Sequence, residues 1–395
     1  MKKEIANNQA LYGSVMVFDR CVARMGFRPA KEGETVPTGM RGVPQWQETP
    51  PGFKVNEDGS CEFAIFAPDA KTVRVQGIGG SMPQGYDMEK GEDGYWRVRV
   101  TDLAPGFHYH VYFVDGVRML NNHEAIGYGC GEHINFCEVP DENSEFYLYQ
   151  DVPHGTIRMT YYPSSSTGRT RNCWVYTPPG YEGGEKRYPV LYIQHGAGEN
   201  ETGWLFQGKL NLILDNLYAQ GKAEEMIVVM NDGYVYKETE DPYVFERGNI
   251  ADILIDECIP FIDANFRTLT GPENRAMAGL SMGGAQTRET VLNHLDVFGS
   301  AGIFSGGFSV KGERFGTAWD FSEIFASPES AKALHLLFAS FGLQEQPRCE
   351  ETAQAISELR EKGFHQCVFY ACPGWHEWDV WRNSLYEFAK LLFKH

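Results

Sequence analysis

Residues 276–287 read AMAGLSMGGAQT. An apolar run ends in a lone serine, Ser281, set among small residues and followed by a stretch of helical composition. A buried strand can end in almost any residue. A Gly-x-Ser-x-Gly at a strand-to-helix junction is expected when the turn is so sharp that ordinary side chains would collide. Gly279 and Gly283 remove those side chains, and Gly284 gives the start of the helix a close packing surface. The serine then sits at the carboxyl end of a sheet strand. The N–H groups of the following helix point toward any oxygen bound there.

The surrounding chain supplies the sheet that this junction needs. IRMTYYPS (157–164) and NCWVYTPP (172–179) read as an opening pair of strands. YPVLYIQHG (188–196), MIVVMND (226–232), SAGIFSGG (300–307), LHLLFASFG (334–342) and CVFYACPG (367–374) read as further strands. Between and after them lie amphipathic helical stretches, among them 210–220, 250–266, 350–363 and 378–393. Near-continuous apolar strands alternating with such helices indicate an α/β fold with a mostly parallel central sheet covered on both faces. With the elbow at Ser281, residues 156–395 are expected to form an α/β-hydrolase domain.

The first 155 residues have a different character. Residues 51–140 hold short alternating runs such as CEFAIFAP, TVRVQGI, YWRVRV and HYHVYFVDG, separated by turn residues. They are expected to form a small antiparallel β-sandwich. Residues 1–50 read as an irregular arm with one short helix around 15–25, and 141–155 as a linker.

Composition narrows the function classes. A formal net charge of −18 argues against nucleic acid or an anionic membrane as partner, because like charge weakens approach to phosphates. No run approaches the roughly 20 apolar residues of a membrane span. The first twenty residues lack the apolar core of a signal peptide, so a cytoplasmic location is expected, or a secreted one if a leader has been removed. The nine cysteines are scattered with no C-x-x-C pair, which suggests neither a disulfide framework nor a metal site. No cofactor is implied.

A serine hydroxyl needs a base within hydrogen-bond reach, and an acid to orient that base. In the chain order Ser, Asp/Glu, His, the base follows the last strand. Of the five histidines after Ser281, only His376, in PGWHEWDVW, lies in a loop leaving a strand at its carboxyl end. The acid should leave the preceding strand. Glu345 is the first carboxylate past FASFG, with Glu350 and Glu351 as substitutes and Asp379 near the histidine. Its task is to fix the imidazole tautomer. Two amide donors for a developing oxyanion are expected from Met282 and from the loop HGAGENETGW (195–204), where Ala197 is the candidate. His195 precedes the serine and reads as a structural loop residue. Trp204, Trp375, Trp378 and Phe308 are aromatic candidates for a substrate pocket.

The segments YPVLYIQHGAGENETGW, RAMAGLSMGGAQT and GWHEWDVWRNSLYEF resemble the carbohydrate esterase family 1 branch of the esterase-D-like α/β-hydrolases, with feruloyl and acetylxylan esterases nearest in pattern. The resemblance spans residues 155–395. It implies hydrolysis of esters on plant cell-wall sugars through an acyl-serine intermediate, without metal or cofactor. The family usually has aspartate where this chain has Glu345. CEFAIFAPDAKTVRVQG and EDGYWRVRVTDLAPGFHYHVYFVDGVRML resemble the immunoglobulin-like family 48 carbohydrate-binding modules, which implies an immunoglobulin-like β-sandwich for residues 51–140. GIGGSMPQGY, however, lacks the tryptophan common in those modules, so a structural or substrate-shaping role is expected ahead of sugar binding. The rival readings are an acetylxylan esterase, an enterochelin-type siderophore esterase, a mycolyl-type acyltransferase and a non-catalytic carbohydrate-binding protein. The expected partner is a small-molecule or oligosaccharide ester, with a homodimer as an option.

Overall fold

The computed structural model describes residues 23–394 except 41, 49–50, 81, 83–84, 242–243 and 315–316. These residues form two compact units. One holds the described chain up to Gly127 together with His133–Asp141, and the other holds Tyr128–Glu132 and the chain from Glu142 onward.

The first unit is a sandwich of antiparallel sheets. In one sheet the strands run in the order Phe53–Val55, Cys61–Phe66, Tyr95–Val100, Glu89–Lys90. The other is built around Gly106–Val114, which pairs with Glu132–Val139, Val73–Gly77 and Val117–Met119. Alternating residues of both sheets meet in one core: Phe63, Ile65 and Trp96 from the first, Val73, Val75, Tyr112 and Cys137 from the second. The strand at 95–100 shows the alternation plainly. Trp96 points inward and donates its indole N–H to the Ala67 carbonyl at 2.8 Å, whereas Tyr95 meets the exposed Phe66 ring. Ahead of the sandwich, Ala23–Arg28 and Val43–Glu48 pair as an antiparallel ribbon where an irregular arm was expected. The helix expected around 15–25 lies outside the described residues up to 22, and residues 23–25 belong to the ribbon.

The second unit is an eight-stranded mixed sheet. Its strands are β1 (Thr156–Ser164), β2 (Arg169–Thr177), β3 (Val190–Gln194), β4 (Ile227–Asn231), β5 (Arg275–Leu280), β6 (Ser300–Phe304), β7 (Leu336–Gly342) and β8 (Cys367–Cys372). Their spatial order is β1-β2-β4-β3-β5-β6-β7-β8. The first two are antiparallel to their neighbours, and β4 through β8 are all mutually parallel. Every residue of β3, β4, β6 and β7 is buried, as a sheet covered on both faces requires.

The longer helices that flank the sheet are α1 (Leu210–Ala219), α2 (250–265), α3 (Met282–Asn293), α4 (Arg348–Glu361) and α5 (Trp378–Ala389). Helix α2 runs through Ile250–Ile253, a π turn at Leu254–Cys258, and Ile259–Asn265. On α5 the buried positions 378, 381, 385 and 388 follow helical spacing. Phe388 packs between Phe304 and Phe338 at 5.7 and 5.6 Å, over the space that Gly302 leaves by lacking a side chain.

Residues 141–155 are not a free linker. Asn216 on α1 donates to the carbonyls of Phe146 and Leu148 at 3.0 and 2.9 Å, and Asp215 accepts from His154 and from the Gly155 amide. Tyr147 is buried, with the Lys209 ammonium and the Arg382 guanidinium 5.1 and 4.5 Å from its ring centre. Among the described residues no helix is long and apolar enough to cross a membrane. The described cysteines form no disulfide.

Candidate active site

Strand β5 hands over to α3 at Ser281, whose φ of 53° and ψ of −109° are rarely adopted by a residue with a side chain. Its own amide donates to the Phe304 carbonyl at 2.8 Å, which ties the elbow to β6. The glycines are required by contact. A Cβ at Gly279 would lie 2.5 Å from the Gly283 carbonyl carbon. One at Gly283 would lie 2.6 Å from the His195 oxygen, and one at Gly284 2.9 Å from the Gly306 Cα. Gly283→Ala is therefore expected to destabilise the protein by about 2 kcal/mol through overpacking, as read by chemical denaturation. Unchanged stability would mean that α3 and the end of β3 are not held this close.

The histidine and the acid arrive on two loops that are bonded to each other. After β7, Leu343 N–H donates to Cys372 O at 2.8 Å, and Gln344 N–H to Gly374 O at 3.2 Å. In return, Gly374 N–H donates to the Gln344 side chain at 2.6 Å. A side chain at Gly342 would collide with the Gly374 carbonyl, so the approach depends on glycine there too. This zipper brings Glu345 beneath His376. The imidazole Nδ1 lies 2.5 Å from Glu345 Oε2, and Nε2 lies 2.9 Å from Ser281 Oγ.

Glu345 Oε1 also accepts from the Gly342 amide at 2.9 Å and from the Ser305 hydroxyl at 2.7 Å. Burial works to raise the Glu345 pKa. The bond and charge of His376, with the donations from Gly342 and Ser305, outweigh it and hold the carboxyl below its ordinary value. The group is thus ionised at neutral pH and can only accept, which directs the His376 proton to Nδ1 and leaves Nε2 open to take one from Ser281. Glu350 and Glu351 lie exposed in the first turn of α4, and Asp379 faces Arg382 at 3.9 Å.

Ser305 carries no motif and has no counterpart in the sequence reading. It sits at the end of β6 with φ 49°. It accepts the Trp381 indole N–H at 3.0 Å and donates its own hydroxyl hydrogen to Glu345 at 2.7 Å. The only sequence signal for it is a Ser-Gly-Gly at a strand's carboxyl end.

The loop after β3 turns at Gly196–Glu199, with Gly198 at φ +79°. Its amides are nearly all committed. Gly196 N–H goes to the Glu199 carboxylate at 3.2 Å, Gly198 N–H to the Tyr234 hydroxyl at 2.6 Å, and Glu199 N–H to Gly196 O at 3.3 Å. Among the described residues no acceptor meets the Ala197 amide, and Ala197 is exposed. Gly196 adjoins the elbow: a Cβ there would come within 3.6 Å of the Ser281 Cβ. Met282 opens α3, where a first-turn amide has no intrahelical acceptor. His195 is buried, donates Nδ1–H to Gly196 O at 2.8 Å and accepts from the Gly233 amide at 2.9 Å, as expected of a structural residue.

The expected pocket aromatics separate sharply. Trp375, beside His376, is 51% exposed. Trp204 and Trp378 are each 1% exposed and meet edge to face at 5.3 Å, and Trp204 spends its N–H on the Gln194 carbonyl. Phe308 is 4% exposed and packs on Phe325. These three are core residues, and their rings have no surface to offer a ligand. Among the described residues no group of three or more His, Cys, Asp or Glu side chains is arranged to hold a metal.

Residues 164–391 match the Esterase family model, described as "Putative esterase". A Xylanibacter ruminicola protein named endo-1,4-beta-xylanase/feruloyl esterase is 37% identical over 356 residues, which is 86% of this chain and 46% of that protein. The chain thus spans about half the length of this relative. Two solved structures share the fold. One is a ferulic acid esterase from Anaeromyces mucronatus, at TM-score 0.52 and 24% identity, covering 63% of this chain and 95% of that one. The other is the enterobactin esterase of Shigella flexneri, at TM-score 0.61 and 14% identity, covering 85% and 93%. A family match across more than half of the chain, around an α/β-hydrolase sheet with this elbow, places the protein in the Esterase family.

Proposed function

We propose that this protein is a serine carboxylic-ester hydrolase that cleaves hydroxycinnamoyl, feruloyl-type esters of plant cell-wall sugars or related phenolic conjugates. The observation that carries the mechanism is the unbroken contact from Ser281 Oγ through His376 to Glu345, at 2.9 and 2.5 Å. Ser281 Oγ attacks the ester carbonyl carbon while His376 Nε2 takes its proton. The carbonyl oxygen becomes an oxyanion and accepts from the amides of Met282 and Ala197. As the tetrahedral intermediate collapses, the bond to the sugar oxygen breaks and His376 returns the proton to that oxygen. The acyl group stays on Ser281. Water, deprotonated by the same imidazole, then attacks the acyl-serine and releases the acid and the free hydroxyl. Ionised Glu345 stabilises the imidazolium formed in each half.

The acyl class rests on the relative at 37% identity that is named a feruloyl esterase, and on Trp375. Its half-exposed ring next to His376 supplies a flat platform for a phenolic acid. Trp375→Ala should raise KM for methyl ferulate by about 5- to 10-fold, the worth of one stacking contact. Turnover of 4-nitrophenyl acetate should stay within about twofold. Equal losses on both esters would instead assign Trp375 to holding the loop.

Two measurements test the whole reading. A fluorophosphonate probe should label the wild type and not Ser281→Ala; a folded wild type that takes no label overturns the serine mechanism. A panel of methyl ferulate, methyl caffeate, chlorogenate, acetylated xylan and a ferric catecholate trilactone addresses the acyl class. The highest kcat/KM should fall on a hydroxycinnamoyl ester, and preference for the acetyl or trilactone substrate would replace it.

A further inference from the structure

Glu199 is a carboxylate that the mechanism above does not use. It is 6% exposed, two residues beyond Ala197, and lies where an ionised group is costly to bury. Its side chain folds back over its own turn so that Oε2 accepts the Gly196 amide, while its backbone amide donates to the Gly196 carbonyl. The turn is therefore closed twice by one residue. The Trp378 indole also donates to the carboxylate. Space for this is kept by Gly203, where a Cβ would lie 3.3 Å from the Trp378 ring and 3.6 Å from Glu199 Oε2.

Three elements thus meet at Glu199: the oxyanion turn, the N-terminus of α5 and the single helical turn Gly203–Phe206. Trp378 stands two residues after His376, so Glu199 ties the turn carrying the proposed oxyanion donor to the loop carrying the proposed base. The titratable groups that bear on it are His195, at the end of β3, and His376.

We propose that Glu199 is a positioning residue of the esterase: its carboxylate aims the Ala197 amide at the reacting oxygen by clamping Gly196, and does so more firmly when ionised. This rests on the serine-hydrolase reading given above. A charged acceptor makes the stronger bond to an amide, roughly twice that of a neutral one. The charge state of Glu199 changes around neutral pH. Burial pushes its pKa up to about 7, against the pull of the Gly196 amide, His195, Trp378 and His376.

The test compares wild type, Glu199→Gln and Glu199→Ala on 4-nitrophenyl acetate between pH 5.5 and 9. Glu199→Gln retains an oxygen for Gly196 and is expected to fold. Its kcat should fall about 10-fold at pH 8.5 with KM within twofold, the pattern of a weakened transition-state donor. The wild-type-to-Gln ratio of kcat should shrink as pH falls, following one ionisation near pH 7. Glu199→Ala should lose about 100-fold at both ends of the range. A pH-independent ratio, or Gln equal to wild type at pH 8.5, overturns the proposal, since a purely structural side chain would alter thermal stability and leave the ratio flat. Absence of wild-type turnover of this simple ester would sink the serine reading itself, so the two failures are distinct.

Discussion

Ser281→Ala should lower kcat/KM by about 10⁴- to 10⁶-fold on every ester the enzyme accepts, while the folded structure stays intact. The upper figure corresponds to about 8 kcal/mol of transition-state stabilisation. What remains would come from the oxyanion donors and from binding, neither of which involves the hydroxyl. The variant should fold because alanine tolerates the elbow as poorly as serine does, and His376, 44% exposed, can replace the lost contact with water. Ser281→Gly carries a sharper test of the elbow. At φ 53° and ψ −109° a side chain is held against its preference, and glycine has none to strain. The glycine variant should be inactive and more stable than wild type by about 1 kcal/mol in denaturant titration. A folded alanine variant that keeps activity would show that Ser281 is not the nucleophile, and a glycine variant less stable than wild type would show that the elbow does not strain it.

The sheet and the elbow were legible because each is imposed by local chemistry. Near-continuous apolar runs such as VLYI and IVVM, short and rich in β-branched residues, read as central strands, and Gly279 and Gly283 mark a turn that no side chain permits. His376 and Glu345 followed from topology, since parallel strands deliver their following loops to one edge of the sheet. The segments that were misread are those whose structure is decided by a distant partner. Nothing within 141–155 announces that Asn216 and Asp215, some sixty to seventy positions later, will hold its backbone. The ribbon of Ala23–Arg28 with Val43–Glu48 likewise depends on pairing across an intervening loop.

The aromatics near the motifs illustrate a different limit. Trp204, Trp375 and Trp378 stand at similar distances from the motif residues, and composition cannot tell a platform from a core ring. The turn Gly203–Phe206 decides it by driving Trp204 under β3 and against Trp378, leaving Trp375 outside. Ser305 was illegible because its role exists only through Trp381 and Glu345, neither near it in the chain. Residues that act through others leave a trace in geometry before they leave one in sequence.

Glu345→Gln should reduce kcat by about 10⁴-fold, far more than the loss of one charge-assisted hydrogen bond suggests. Both oxygens of the carboxylate act as acceptors: Oε1 takes Gly342 N–H and the Ser305 hydroxyl, and Oε2 takes His376 Nδ1–H. A glutamine must present oxygen to one side and NH₂ to the other. The Gly342 amide is part of the backbone and cannot turn round, so the oxygen is drawn to that side. The NH₂ then faces His376 Nδ1, where it favours the tautomer that carries its proton on Nε2. That nitrogen donates to Ser281 Oγ and can no longer remove its proton. The defect therefore lies in proton placement, and it predicts a lowered kcat with KM near the wild-type value and no loss of cooperative unfolding. The same isostere lacks the charge that stabilises the imidazolium, so acylation and deacylation should slow together, with no acyl-enzyme accumulating in a burst. Activity within tenfold of wild type in a folded Glu345→Gln protein would show that another carboxylate orients the imidazole. A burst of product followed by a slow steady state would show that Glu345 matters to only one half of the reaction.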